Sequence, residues 1–247
     1  SFADDRHGFA VGSGGLVLAT TDGGLSWKTR SSGTREHLLG VQDLSQTKAW
    51  AVGAFGTILY TADGGAVWKQ PRLSWEKLIP RLIQELGYLE PNLNAVCFVR
   101  PEVGWIVGEF GLVLHTTDGG QTWASQRYGM DLPQLVALRF YDEHTGLAVG
   151  QQGALLKTTD GGTRWVRVRS GTKRGLYGIA LSGNYGVIVG DGVVLKTDDG
   201  GHSWAQAQAV PQHLWFSGVA MRGKKAMAVG QAGTLLLMDL KAQTVSP

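Results

Sequence analysis

One eight-residue phrase, Thr-x-Asp-Gly-Gly-x-x-Trp, occurs five times, at 20–27, 61–68, 116–123, 158–165 and 197–204. Its tryptophans, Trp27, Trp68, Trp123, Trp165 and Trp204, stand 41, 55, 42 and 39 residues apart. A second phrase, a short apolar run closing in Val-Gly, keeps step with it. Its glycines, Gly12, Gly53, Gly108, Gly150, Gly190 and Gly230, are spaced 41, 55, 42, 40 and 40. A fixed period near 40 residues marks a repeat protein, and that length suits a four-stranded propeller blade.

The first phrase has a local logic. Thr and Asp side chains can bond backbone amides one or two residues on and fix a turn unaided. Paired glycines accept positive φ where other residues are strained, and the tryptophan brings a large ring to bury as the next strand opens. Asp22, Asp63, Asp118, Asp160 and Asp199, with their five tryptophans, are therefore expected to be structural. A calcium role for these aspartates is disfavoured, because an Asp-Gly-Gly turn lacks the staggered oxygens and closing Glu of a calcium loop.

Aligned, the repeats give a four-strand unit. Strand A is an apolar run such as 135–140. Strand B ends in Val-Gly, a tight turn leads to strand C, and the Asp-Gly-Gly corner hands over to strand D. Short strands with such turns pair as antiparallel meanders, and stacking the meanders about an axis covers faces that a lone sheet leaves open. The predicted fold is an all-β propeller of four-stranded antiparallel blades, forming one domain over 1–247. The repeat count is six, and seven if a blade has been trimmed from the N-terminus. Residues 1–5 match the tail of a strand A, so the chain starts mid-repeat. The last repeat lacks its corner, and its fourth strand comes either from 239–247 or from residues upstream of Ser1.

One repeat is longer, by an insertion at about 71–93. Leu78, Leu82 and Leu86 recur every four residues with Ile79 and Ile83 beside them, which is helical spacing with an apolar stripe. Pro80 suits a helix start and Gly87 a stop, so a helix of about two turns is expected over 80–86.

Composition narrows the function. The 37 glycines and 43% hydrophobic content suit many short strands over a real core, and a net charge of +3 gives no support to a nucleic-acid surface. No stretch is long enough to be a membrane-spanning helix. The lone Cys97 sits in an apolar run and reads as a buried strand residue. The six histidines show no metal-ligand spacing, and no cofactor or metal is expected.

In such a meander the B–C turns and D-to-A connections share one end, and the A–B turns and Asp-Gly-Gly corners the other. The insertion, with Trp75, Leu78, Leu82 and Leu86, belongs to the first end. So do Arg35, Arg127, Arg167, Arg169, Lys173 and Arg174. An apolar helix beside arginines suits protein docking. The bland alternative is that the stripe packs on its own blade and the cations are solvated surface charges.

Thr-x-Asp-Gly-Gly-x-Thr/Ser-Trp resembles the Asp-box, or BNR repeat, of sialidases and other propellers. Coupled to Gly-Trp/Phe-x-Val-Gly, as in the stretch from His7 to Trp27, it is similar to the photosystem II stability/assembly factor family over essentially the whole chain outside the insertion. That resemblance implies an exported, non-enzymatic scaffold of the bacterial periplasm or thylakoid lumen, docking to a protein of a membrane or envelope complex. It also implies seven blades, where six are counted. The alternative is a sialidase-like glycosidase. Arg100, Arg139 and Arg222 lie on or just after A strands, but they occupy mismatched positions. The Phe-Arg-Ile-Pro-like segment and a convergent acid-base pair are absent.

Overall fold

Alternating apolar residues and glycine-rich turns fold into six antiparallel sheets among the described residues. The computed structural model describes residues 1–87, 89–207 and 213–240, with the backbone of Val245–Ser246. The chain divides into two compact units, Ser1–Leu132 and Pro133–Pro247.

In the first unit, Gly8–Val11, Val17–Thr20 and Lys28–Arg30 form one sheet. Phe2 bridges Gly8 and supplies the end of its strand A. The second sheet is Leu38–Asp43, Ala49–Gly53 and Ile58–Thr61, with strand D reduced to the Tyr60–Lys69 bridge. The third has four full strands, Leu93–Phe98, Gly104–Gly108, Val113–Thr116 and Ala124–Arg127. Cys97 is buried in its strand A, as its apolar run predicts.

In the second unit the A strands are Leu135–Phe140, Leu176–Ser182 and Phe216–Arg222. Each is followed by strands B, C and D in sequence order. The last sheet completes itself: Val245–Ser246 pairs antiparallel with Leu237 and Met238. Its fourth strand thus comes from the chain's own C-terminal residues and not from upstream of Ser1, while 241–244 and 247 lie outside the described residues.

Strand A carries a bulge after its first residue in five repeats, as between Leu135 and Ala137. A bulge bends and twists its strand. At Gly40 and Gly178 the A strands of adjacent sheets approach so closely that a Cβ would lie 2.8 Å from Asn94 O and 3.3 Å from the Gly218 Cα. Glycine is required by proximity at Gly40, and at Gly178 a side chain would need its neighbours to give by a few tenths of an ångström.

The core lies between sheets. In the first unit, Phe9 meets Trp68 edge-on at 5.4 Å, and Trp50 meets Trp123 at 6.0 Å. Phe9 and Trp50, each on a strand B, are thus capped by the following repeat's corner. In the second unit Leu147 takes the same role, and a Cβ on Gly201 would lie 2.9 Å from its Cδ1. Lys157 Nζ reaches across to donate to Gly200 O at 3.0 Å.

The insertion forms two short helices, Trp75–Leu78 and Pro80–Leu86, with Pro80 at the start and Gly87 at the C-cap in left-handed backbone (φ 82°). The predicted helix bounds are thus observed. No described helix is long and apolar enough to cross a membrane.

Candidate functional site

The corners follow one hydrogen-bond plan. In each, the Thr hydroxyl donates to the Asp Oδ1 two residues on, at 2.7–2.9 Å. That hydroxyl oxygen accepts from the second glycine's N–H at 2.8–3.1 Å. The Asp Oδ1 also accepts the amide four residues on, at 2.8–3.0 Å. In three corners Oδ2 accepts a Ser or Thr hydroxyl at 2.6 Å, from Ser26, Thr122 and Ser203. Both glycines have positive φ in every copy.

These donors stabilise the carboxylate. The Ser26 hydroxyl, then its amide, hold Asp22 down to about 2. Asp118 and Asp199 are lowered first by the Thr122 and Ser203 hydroxyls, Asp63 and Asp160 first by the Val67 and Arg164 amides. Their oxygens face the turn's own donors, and among the described residues no three His, Cys, Asp or Glu side chains cluster as metal ligands do. Trp68 and Trp123 are 8% exposed, Trp165 and Trp204 half-buried. Trp27 is 37% exposed and donates to Gly24 O.

Each corner is tied to its own sheet's A–B turn by one bond of 2.9 Å. Gly23, Gly64, Gly119, Gly161 and Gly200 donate to the carbonyls of Arg6, Thr47, Glu102, His144 and Asn184. At the other end of each sheet the B–C turn is tied to the connection leading into strand A, as by Ala54 N to His37 O and Gln151 N to Gln134 O. The expected partition of loops thus holds within the second through fifth sheets.

The candidate docking residues separate into two groups. Trp75 and Leu78 are 7% exposed and Leu82 is 2% exposed, all in the core of the first unit with Ile58, Leu93 and Leu112. They are not presented to a partner, because the stripe closes the insertion over its own sheets. Leu86, at 43%, points outward. Arg127 is half-buried and its Nη1 donates to Gly111 O at 3.1 Å, which ties strand D to the B–C turn.

Arg35, Arg167, Arg169 and Lys173 are exposed. Arg167, Arg169 and Lys173 rim a depression of about 570 Å³ over the Ser170–Thr172 turn. That turn is firmly built: the buried Ser170 hydroxyl contacts Gly153 O at 2.8 Å and Thr172 O at 3.1 Å. Arg174 leans on the next B–C turn, 3.2 Å from Asp191 O and 3.7 Å from its carboxylate. Arg35 rims a similar hollow of about 590 Å³ in the first unit.

Sequence reasoning missed Phe55. It sits at the tip of a B–C turn, 62% exposed, at φ 50°. A bulky side chain in left-handed backbone costs on the order of 1–3 kcal/mol. The same turn position is held in left-handed backbone by Phe110, Gln152, Ala232 and Gly14 in other repeats, and Phe110 is half-buried against the core of the first unit. The readable signal was an aromatic in a glycine-flanked turn, and its exposure is what sets Phe55 apart.

Arg139 and Arg222 do not converge. Arg139 pairs with Leu147, whereas Arg222 pairs with Lys225 at the far end of its strand.

The family described as "Photosynthesis system II assembly factor YCF48" matches this chain over residues 1–90, 33–137, 84–174 and 129–214. The photosystem II assembly lipoprotein Ycf48 of Synechococcus sp. (strain CC9902) is 35% identical over 134 residues. That match covers 54% of this chain and 24% of the relative, so the chain spans about a quarter of that protein's length. The solved structure of YCF48 bound to D1 peptide aligns with a TM-score of 0.53 at 19% identity, over 96% of this chain and 89% of that one. The GH74 enzyme of Niastella koreensis aligns with a TM-score of 0.69 at 13% identity, over 93% of this chain and 42% of that one. At such identities both structures speak to the propeller fold alone. With six sheets in step, five Asp-boxes built alike and a family match running from residue 1 to residue 214, the chain belongs to the photosynthesis system II assembly factor YCF48 family.

Proposed function

We propose that this chain is a non-enzymatic, exported assembly scaffold, acting in the periplasm or thylakoid lumen. It grips a peptide segment of a membrane-complex protein with the loops at the D-to-A ends of its sheets. The proposal takes the six repeats as the blades of one propeller domain over 1–247.

The observation that carries the reading is the division of labour between the two ends of each sheet. Asp-box ends spend their polar atoms on their own turns. At the opposite ends the first unit carries the exposed Arg35 and the strained, exposed Phe55, and the second unit the exposed Arg167, Arg169 and Lys173 followed by Arg174. Planar guanidinium groups suit the carboxylates of an extended peptide, and an aromatic suits its apolar side chains. The solved structure of YCF48 bound to D1 peptide supports a peptide as the partner.

The test is titration of the chain with synthetic D1 peptide. Arg169→Glu with Lys173→Glu should weaken binding about tenfold or more, the usual effect of reversing charges at an interface, with thermal unfolding unchanged. Phe55→Gly should weaken binding while relieving backbone strain. Undiminished affinity in both variants would remove these loops from the contact. Release of a fluorogenic sialoside by the purified chain would overturn the non-enzymatic reading.

A further inference from the structure

The junction of the fourth and fifth repeats is filled from within. Lys157 of strand C is 8% exposed; its Nζ donates to Gly200 O at 3.0 Å and lies 3.3 Å from His202 Nδ1. The second and third repeats build the same junction from other residues. Tyr60 stands opposite Trp50 as Lys157 stands opposite Leu147, and Gly119 and Gln121 hold the places of Gly200 and His202. Among the described residues no group donates to Gly119 O. A hollow of about 490 Å³ opens here, between the second sheet and the third corner. Small-ligand sites span about 300–1,000 Å³.

The floor of the hollow is aromatic. Trp50 is 4% exposed and Tyr60 half-buried, their rings 5.1 Å apart and tilted by 33°. The walls are polar. Lys48, Lys69, Gln70 and Glu102 are exposed, and among the described residues their side chains make no hydrogen bond or ion pair. Asp118 lines the hollow as well, with its oxygens taken by its own turn.

This lining selects the class of ligand. A cation would face Lys48 and Lys69. An anion would face Glu102, the Asp118 carboxylate and the Gly119 carbonyl. An extended peptide finds no strand edge, because Tyr60 and Lys69 exchange their backbone hydrogen bonds at 2.9 and 2.8 Å, and Pro71 beyond them has no N–H. A hydroxyl both donates and accepts. An uncharged ring bearing several hydroxyls therefore meets every one of these groups with a partner, while its C–H face covers the apolar ring of Tyr60.

We propose that this hollow binds one pyranose ring of a neutral saccharide. The sugar packs against Tyr60, and one hydroxyl donates to Gly119 O as Lys157 Nζ does to Gly200 O. Other hydroxyls bond the Lys48 and Lys69 ammonium groups and the Glu102 carboxylate. The site lies at the Asp-box end, opposite the D-to-A loops, so its failure would leave the peptide reading standing.

The test is saturation-transfer NMR on the whole 247-residue chain, with cellobiose, lactose and maltose as probes from about 0.1 to about 10 mM, a span that reads a Kd near millimolar. The expected result is saturable transfer to at least one of the three, strongest at the C–H groups of one ring. Tyr60→Lys installs the side chain that the fourth repeat uses, which fills the hollow and reaches Gly119 O. It should abolish transfer with circular dichroism unchanged. Lys69→Ala with Glu102→Ala alters only exposed side chains, so it tests the site even where Tyr60→Lys does not fold. This pair should weaken binding about tenfold or more, the usual effect of losing hydrogen bonds to charged groups. No saturable transfer from any of the three sugars overturns the proposal. So does transfer that survives Tyr60→Lys in a folded chain, transfer undiminished in the double variant, or displacement of the sugar by equimolar N-acetyl-lysine amide or glutarate, which would give the hollow to an ion.

Discussion

The two glycines of an Asp-box are adjacent and both left-handed, yet they should differ sharply in their tolerance of a methyl group. In the third repeat Gly119 has φ 70° and Gly120 φ 79°. A Cβ on Gly119 would meet Pro101 O at 3.2 Å. A Cβ on Gly120 would lie 2.4 Å from the Trp50 Cη2 and 2.5 Å from its Cζ2, both inside contact distance of a ring held between Phe98 and Trp123. Gly119→Ala should therefore cost the left-handed strain of about 1–2 kcal/mol, less about 0.4–1 kcal/mol from stiffening the unfolded chain. Gly120→Ala carries the same terms plus about 1–3 kcal/mol of overpacking. Denaturant unfolding followed by tryptophan fluorescence measures both. A double-mutant cycle assigns the excess: combined with Trp50→Leu, the residue type that the fourth repeat uses as Leu147, Gly120→Ala should recover about 1–3 kcal/mol of coupling. Equal destabilisation by the two alanines, or strict additivity with Trp50→Leu, would refute capping of one sheet's ring by the next sheet's corner.

Leu82→Ala should destabilise by about 2–5 kcal/mol, since it empties a buried site under the insertion; a calorimetric midpoint at the wild-type value would return Leu82 to the surface. Asp22 has a folded-state pKa near 2, below the ordinary carboxylate value of about 4. Its contribution is accordingly present above about pH 4 and lost as pH falls through about 2, and the four other boxes are shifted in the same direction. Urea midpoints measured from pH 6 to 2 should fall within that window, and Asp22→Asn should flatten part of the fall; an unchanged slope in that variant would count against the carboxylate's role.

What was legible in the sequence is what depends on near neighbours along the chain. The Asp-box could be read because Thr61, Asp63 and Gly65 satisfy one another within four residues. The helix over Pro80–Leu86 could be read because proline and glycine mark its ends and its stripe has the helical period. Where that stripe points could not be read. Leu78 and Leu82 turn inward because Ile58, Leu93 and Leu112 present an apolar floor assembled from residues 11 to 34 positions away, which no local pattern encodes. Phe55 is a similar case, since its strain exists only once the turn has the geometry that Gly14 and Gln152 adopt elsewhere.

The hydrogen bonds that the Thr and Asp side chains of an Asp-box make within the corner never reach more than four residues along the backbone. A corner of this kind can close while the remainder of its repeat is still being synthesised or threaded through a pore, at the cost of little loop entropy. Successive corners would then act as pre-bent hinges that hand each newly arrived strand to its partner at the correct angle. Assembly would proceed outward from five small, independent seeds, without waiting for distant segments to find one another.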